Sequence, residues 1–305
     1  MPAATPLSSG NLIADRRYEW ARDLQAKGDL AGAADLLAQA LELAPGYASA
    51  WFSLGEVRDR LGERDAAIVA FAKARAADPA DRHGAALHLI RLGAQPAAAM
   101  PQDYVRTLFD DYAPRFDRAL TERLAYCAPE LLLRAVEKTG RRMKFGSVLD
   151  LGCGTGLAGA AFRPLADWMV GVDLSPAMLA QARGKGTYDR LIEDDVLQFL
   201  SGEAAIRARY HLILAADVFM YLDDVAPVLT ASAQVLAPGG LLAFSAETHD
   251  GEGVILLDTL RYAHHAAHVR HALAAAGLKV LSLDSAATRT EKGVAVPGLI
   301  VVAGN

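Results

Sequence analysis

Two patterns of apolar and polar positions divide the chain. From residue 11 to 94 the chain repeats itself, and from residue 147 onward short apolar runs alternate with helical patterns. Shifting residues 48–81 back by 34 lays Gly62 on Gly28, Ala67 on Ala33, Phe71 on Leu37, Ala74 on Ala40 and Pro79 on Pro45. Trp51, Leu54 and Gly55 fall on Arg17, Trp20 and Ala21. A period of this length predicts paired helices, with Ala and Gly at the close approaches and proline ending the second helix. Residues 82–94 read as a truncated third unit acting as a capping helix, residues 1–10 as a flexible N-terminus. Residues 95–103 hold two prolines without periodicity and read as a linker.

Two amphipathic helices with an aromatic bias are expected next, over 104–116 and 118–139. Apolar runs then follow at 147–151, 168–172, 190–192, 211–215, 241–245, 278–283 and 299–303. Helical patterns separate most of them, at 158–166, 176–183, 196–206, 225–236 and 262–276. Short apolar strands alternating with helices predict an α/β fold, a mostly parallel seven-stranded sheet with helices on both faces. The last two runs are joined by a long helix-free stretch, which allows an antiparallel final strand. The expected organisation is an all-α repeat domain over 11–94, a linker over 95–103, and an α/β domain over 104–305 that begins with a helical lid.

Composition narrows the function. Hydrophobic residues make up 52% and charged residues 22%, which excludes a disordered or fibrous chain. The balance of 31 basic and 36 acidic residues gives a net charge of −5, against the basic footprint that nucleic acid or an anionic membrane wants. Cys127 and Cys153 form neither a disulfide framework nor a zinc-type spacing. Three imidazoles at His264, His268 and His271 could bind zinc or nickel, but the segment offers no obvious partnering acid or cysteine, so no metal is expected. The start has no basic stretch followed by an apolar run, and about 20 uninterrupted apolar residues occur nowhere. A cytoplasmic protein is expected.

The densest chemical signal is Val148-Leu-Asp-Leu-Gly-Cys-Gly-Thr-Gly156, a buried strand entering a glycine turn. Glycine there permits positive φ and lets a ligand touch the backbone. Gly154, Gly156 and Gly159 also spell the G-x-G-x-x-G string of a dinucleotide site, which by itself is weak evidence. Charge favours a different ligand. Asp150 lies at the strand end, where a carboxylate would repel a pyrophosphate but favour the ammonium and sulfonium of S-adenosylmethionine. Asp173, 17 residues after Gly156, ends the next strand and can accept both ribose hydroxyls. Asp195, or its neighbour Asp194, can accept from the adenine amine, with Val196 lining the ring. Each of these acids could instead cap a helix.

Asp150-x-Gly152-x-Gly154-x-Gly156, with Asp173, Asp195, Asp217 and Pro238-Gly-Gly240, resembles the class I S-adenosylmethionine-dependent methyltransferases over residues 103–305. Trp51-Phe-Ser-Leu54-Gly55, Ala67, Phe71, Ala74 and Pro79 resemble the tetratricopeptide repeat. The whole chain is similar to a bacterial group of methyltransferases that carry such repeats. Shared with it are Tyr104-Val-Arg-x-Leu-Phe-Asp-x-Tyr-Ala-x-x-Phe-Asp117, Arg261-Tyr-x-His264 and Arg289-x-Glu-x-Gly293. The resemblance implies a Rossmann-like sheet with an antiparallel last strand. It implies a site that uses S-adenosylmethionine and releases S-adenosylhomocysteine, with Leu174 and Met178 beside Asp173. Tyr112 and Phe116, four apart on one helix face, would form a lid or else pack the helix on the sheet.

Methyl transfer is an SN2 displacement, so alignment and water exclusion carry most of the chemistry. A base contributes about 10²–10⁴-fold for a hydroxyl or protonated amine. Asp217, at the end of the fourth strand, is expected toward the methionine moiety or the acceptor. His249 and His264 are candidates for acceptor contact, with His264, His268 and His271 on one side of a helix. Cys153 reads as a small residue in a tight turn. The acceptor would be an oxygen or nitrogen nucleophile of a small molecule or protein. An Asn-Pro-Pro-Tyr motif of nucleobase methylation is absent. The repeats would bind a peptide partner, self-associate, or only stabilise their neighbour. The rival readings are an NAD(P)-dependent oxidoreductase and a non-catalytic repeat scaffold that retains a cofactor-binding domain.

Overall fold

The computed structural model describes residues 8–141 and 143–305. The expected flexible N-terminus lies largely outside them. Its described end is tied down, since Ser8 and Ser9 hydroxyls donate to the Asp15 carboxylate at 2.7 and 2.6 Å. The described residues form two compact units, residues 8–108 with 258–260, and residues 109–257 with 261–305. No helix among the described residues is long and apolar enough to cross a membrane.

The first unit contains α1 (Leu12–Lys27), α2 (Leu30–Leu43), α3 (Ala48–Arg60), α4 (Arg64–Ala77) and α5 (Ala85–Arg91). Asn11 caps α1 by accepting from the Ile13 and Ala14 N–H groups, and Gly28 closes it at φ +86°. The repeat positions are core: Ala33, Leu37 and Ala40 in one copy, Ala67, Phe71 and Ala74 in the next, are all buried. A Cβ on Gly55 would stand 2.6 Å from the Phe71 ring, which is why this position is small. Trp20, set on the same repeat position as Leu54, is 57% exposed on α1. The segment 82–94 supplies α5 as the expected cap.

A helix α6 (Gln102–Tyr112) follows, so the linker ends two residues earlier than expected and the division between units falls inside this helix. The expected single helix over 118–139 is two, α7 (Phe116–Arg123) and α8 (Ala128–Lys138). Ala125 between them takes φ +48°, which interrupts the helix.

In the second unit the seven expected runs become seven strands of one sheet. Chain order runs β1 (Phe145–Leu151), α9 (Leu157–Phe162), β2 (Ala166–Asp173), α10 (Pro176–Lys185) and β3 (Arg190–Glu193). Then come α11 (Val196–Ser201), α12 (Glu203–Ala208), β4 (Tyr210–Ala215), α13 (Ala226–Val235) and β5 (Leu236–Glu247). After β6 (Val254–Leu256), β7 (Tyr262–His264), α14 (Ala266–Ala275) and β8 (Lys279–Ser285), a hairpin of β9 (Thr290–Glu291) and β10 (Val294–Ala295) leads to β11 (Gly298–Gly304).

The sheet order is β3-β2-β1-β4-β5-β11-β8, with β11 antiparallel to both neighbours. Alternation sorts its side chains into two cores. Leu149 and Leu151 join one with Phe199, Leu229 and Leu273. Val148 joins the other with Leu132, Val136 and Phe162. Two further expectations are corrected. The helix over 196–206 breaks at Gly202, and residues 262–264 pair with β6 as a strand instead of opening α14. Tyr262, Ala263 and His264 are all buried, so this stretch has no solvated helix face to present.

Candidate functional site

The strand order reverses between β1 and β4, and ligands of open α/β sheets bind beyond the strand ends at such a point. The loop from β1 into α9 lies there. Gly152, Gly154 and Gly156 take φ of +60°, +53° and +90°. A Cβ on Gly152 would stand 2.5 Å from Val218, in the turn after β4, so backbone is pressed against that turn. A Cβ on Gly154 would meet only Phe116, at 3.9 Å. That glycine therefore leaves open space between the loop and an aromatic ring.

Asp173 is bonded to the same loop. Its Oδ2 accepts the Gly154 N–H at 2.7 Å and its Oδ1 accepts the Ser175 N–H at 2.8 Å. Burial lifts the carboxyl to about 6. Leu174 is half-buried and Met178 fully buried, its N–H bonded to Ser175 Oγ at 3.0 Å.

Asp150 departs from expectation. Its Oδ2 accepts the Tyr188 hydroxyl at 2.6 Å and the side chain is buried, so it does not stand free at the strand end. Burial lifts its carboxyl to about 7, and its Oδ1 has no hydrogen bond. The Tyr188 phenol also explains Gly159, whose Cβ would overlap that hydroxyl. The third glycine of the dinucleotide-like string thus makes room for the protein's own side chain. Asp195 caps α11, accepting the Leu197 and Gln198 N–H groups at 2.9 and 3.1 Å. Half-buried Val196 follows it. Asp194 Oδ1 accepts the Asp195 N–H at 2.8 Å. Asp194 also lines a cavity of 510 Å³ with Trp168, Val170 and Phe199.

Aromatic rings continue from Phe116 along the lid. Tyr112 and Phe109 meet Phe116 edge-on at 5.4 and 6.1 Å, and Phe109 meets Tyr221 at 5.3 Å. Sequence reasoning picked Tyr112 and Phe116 but passed over the acids beside them. Asp110 accepts from Ser175 Oγ at 2.5 Å, and Asp117 pairs with Lys185 at 2.5 Å and accepts from Thr155 Oγ1. The signal was present in the shared motif, where each acid directly follows a phenylalanine.

Asp217 sits at φ +56°, a costly backbone for a non-glycine residue. Its N–H donates to Ser245 Oγ at 2.8 Å, and that hydroxyl returns a bond to Oδ1 at 2.7 Å. Arg289 binds Oδ2 at 2.7 Å. Arg289 also pairs with Glu247, and Arg261 with Glu247 at 2.6 Å and with Glu291. Two buried guanidinium groups and three carboxylates thus close the ends of β4 and β5. Burial raises the neighbouring Tyr221 phenol to about 12. His249 lies in the loop after β5, Nδ1 accepting the Gly251 N–H at 3.0 Å. His264 is corrected: it is fully enclosed on β7, its Nε2 3.0 Å from the Phe219 carbonyl, and burial pulls it down to about 4. A side chain so enclosed packs the hairpin and does not reach an acceptor. The His264 and His268 rings lie near-parallel at 6.2 Å, from a strand and a helix.

Residues 149–242 match the family model described as a methyltransferase domain, and residues 24–89 that described as a tetratricopeptide repeat. A ubiquinone biosynthesis O-methyltransferase of Bradyrhizobium sp. (strain ORS 278) is 35% identical over 98 residues, 32% of this chain and 38% of the relative. Human methyltransferase-like protein 27 is 34% identical over 116 residues, 37% of this chain and 46% of the relative. The matches span less than half the length of these relatives. A solved structure similar in fold is the 1,6-didemethyltoxoflavin-N1-methyltransferase of Burkholderia thailandensis, with 1,6-didemethyltoxoflavin and S-adenosylhomocysteine bound. Its TM-score is 0.52 at 21% identity, covering 69% of this chain and 92% of that one.

Proposed function

We propose that this chain, a tetratricopeptide-repeat module joined to a methyltransferase domain, transfers a methyl group from S-adenosylmethionine to an oxygen or nitrogen nucleophile. The acceptor is a small molecule or a protein side chain, and the repeats offer a surface for a peptide partner or a second copy. One observation carries the cofactor assignment. A positive-φ glycine loop leaves β1, and its Gly154 N–H is bonded to the carboxylate that ends β2. The residues fit the group. Gly154 leaves room against Phe116, Asp173 is a buried acceptor beside that room, and no basic side chain is among the bonded partners of Asp173 or Asp150 to receive a pyrophosphate.

Bound there, S-adenosylmethionine supplies a methyl carbon already activated by its sulfonium. Gly152, Gly154 and Gly156 let backbone approach the methionine part. Asp173 has lone pairs beyond its two N–H bonds and accepts the ribose hydroxyls. Asp195 and Val196 face the adenine, with Leu174 and Met178 completing the wall. The rings of Phe109, Tyr112 and Phe116 exclude water, which is the alignment and desolvation part of the rate. On this reading Asp217 lies toward the acceptor, and His249, in the loop after β5, is the remaining histidine candidate for contact with it.

The experiment is thermal unfolding with S-adenosylmethionine, S-adenosylhomocysteine, NAD and NADP at millimolar concentration. A dissociation constant near 10 µM would stabilise the protein by about 2.7 kcal/mol. A shift with the adenosyl ligands that vanishes in Asp173→Ala supports the reading. A shift with nicotinamide cofactors alone overturns it.

A further inference from the structure

We propose that Asp110 and Asp117 are positioning residues of the cofactor site: they hold the two groups that meet the cofactor, so the ligand is held only when segment 109–123 is seated. The inference rests on the cofactor reading above and adds residues that the reading does not use.

Asp110, near the end of α6, accepts the Ser175 hydroxyl at 2.5 Å and the Ala177 N–H at 3.2 Å on one oxygen. With its proton committed to Asp110, Ser175 Oγ turns its lone pairs to the Met178 N–H at 3.0 Å. The Ser175 N–H is thereby aimed at Asp173 Oδ1, 2.8 Å away, and Asp173 Oδ2 takes the Gly154 N–H. One unbroken line of hydrogen bonds runs from the lid through the ribose-binding carboxylate into the glycine loop. Ser175 is fully buried, so water does not replace Asp110 without opening the lid.

Asp117, seven residues on, grips the other side. It accepts from Thr155 Oγ1, pairs with Lys185 at 2.5 Å, and Lys185 donates to Thr155 Oγ1 at 3.2 Å. Thr155 stands between Gly154 and Gly156. Those glycines bring no side chain to pin the loop, and glycine loses more backbone freedom on ordering than any other residue. The loop's shape is set through buried Thr155, and Thr155 is set by the lid. The two acids also land on opposite ends of α10, whose ten residues span about 15 Å. Lid, ribose carboxylate and glycine loop are therefore ordered as one unit.

The test measures S-adenosylhomocysteine affinity by calorimetry and amide hydrogen exchange without ligand. The variants are Asp110→Ala, Asp110→Asn, Asp117→Ala, Asp117→Asn, and Glu122→Ala as a lid control that pairs only on the surface with Arg118. Asp110→Ala and Asp117→Ala should each weaken binding about tenfold or more. They should also speed exchange at residues 152–156 and 173–178, with Glu122→Ala unchanged. Asp110→Asn keeps an accepting oxygen and should recover most of the affinity. Asp117→Asn keeps the bond to Thr155 but not the ion pair, so its remaining loss should disappear at high salt, where the native pair is itself screened. Should an alanine variant fail to fold, Ser175→Ala removes the hydroxyl that Asp110 holds and Thr155→Val the one that Asp117 holds, and the same losses are expected of them. Affinities within twofold of the native protein, with unchanged exchange in both loops, overturn the proposal. Failure of the native protein to bind the ligand sinks the cofactor reading instead, and the exchange data still decide whether the lid acids set the loops.

Discussion

The two ends of the candidate site hold their carboxylates by different means. At the end of β2, Asp173 is held by backbone N–H groups, one two residues away and one 19 residues away. At the ends of β4 and β5, Asp217 and Glu247 are held by the Arg289 side chain, 72 and 42 residues away. Backbone donors cannot swing aside and carry no full charge, so Asp173 keeps its geometry and has lone pairs to spare. Arginine donors carry a full charge, so the ends of β4 and β5 form a buried ionic cluster whose members depend on one another.

The largest expected effect falls on the arginine-held end. Arg289→Met takes the guanidinium from half-buried Asp217 and leaves buried Glu247 with Arg261 alone, which costs about 3–5 kcal/mol. Chemical denaturation followed in the second unit measures it. A loss under about 1 kcal/mol would show the cluster to be dispensable and erase the contrast. Next is Asp173→Ala, which on the proposed reading removes the acceptor of both ribose hydroxyls and should weaken S-adenosylhomocysteine binding about a hundredfold. Its ligand-free melting temperature should fall far less than that of Arg289→Met, and an equal fall would mean that Asp173 serves folding as Arg289 does.

The pH dependence separates the two ends further. Burial lifts Asp173 to about 6, and only the ionised form accepts both hydroxyls, so affinity should rise with pH to about 6 and then level. Below that, the dissociation constant should grow about tenfold per unit, and Asp173→Asn should flatten the profile. Stability responds to this group with the opposite sign. Its native proton affinity exceeds the unfolded one, so its contribution is complete below about 3.8 and is lost as pH rises through about 6. His264, drawn down to about 4, works the other way, giving stability that grows as pH climbs from about 4 to 6.5. Affinity is therefore the cleaner readout. The smallest effect is expected from Tyr188→Phe, which removes the hydroxyl bonded to Asp150 and should lower stability by about 1–3 kcal/mol. Calorimetric affinity should stay within threefold, and a larger loss would return Asp150 to the ligand-contacting set.

Much of the fold was legible because its signals are local. Seven apolar runs became seven strands, and the shift of 34 residues found the stacked helix pairs through Ala33, Leu37 and Phe71. The glycine loop was legible for the same reason, since turn chemistry is written in adjacent residues. Errors came where a local pattern had two solutions. Residues 262–264 suit either period, and pairing with β6 decided for the strand. Asp150 was misread because Tyr188, its partner, lies 38 residues away on a loop whose direction no spacing predicts.

What the sequence determined by itself is what hydrophobic period and glycine chemistry encode within a few residues: the paired helices, the alternating sheet, the loop and the acid after β2. Tertiary structure decided which charges meet. Strand order brings β4 and β5 beside the hairpin that carries Arg289, and it folds the lid acids onto Ser175 and Thr155. Such pairings depend on how layers stack and where chains cross over. A charged residue exposed in one topology is clamped in another, and the sequence around it reads the same in both.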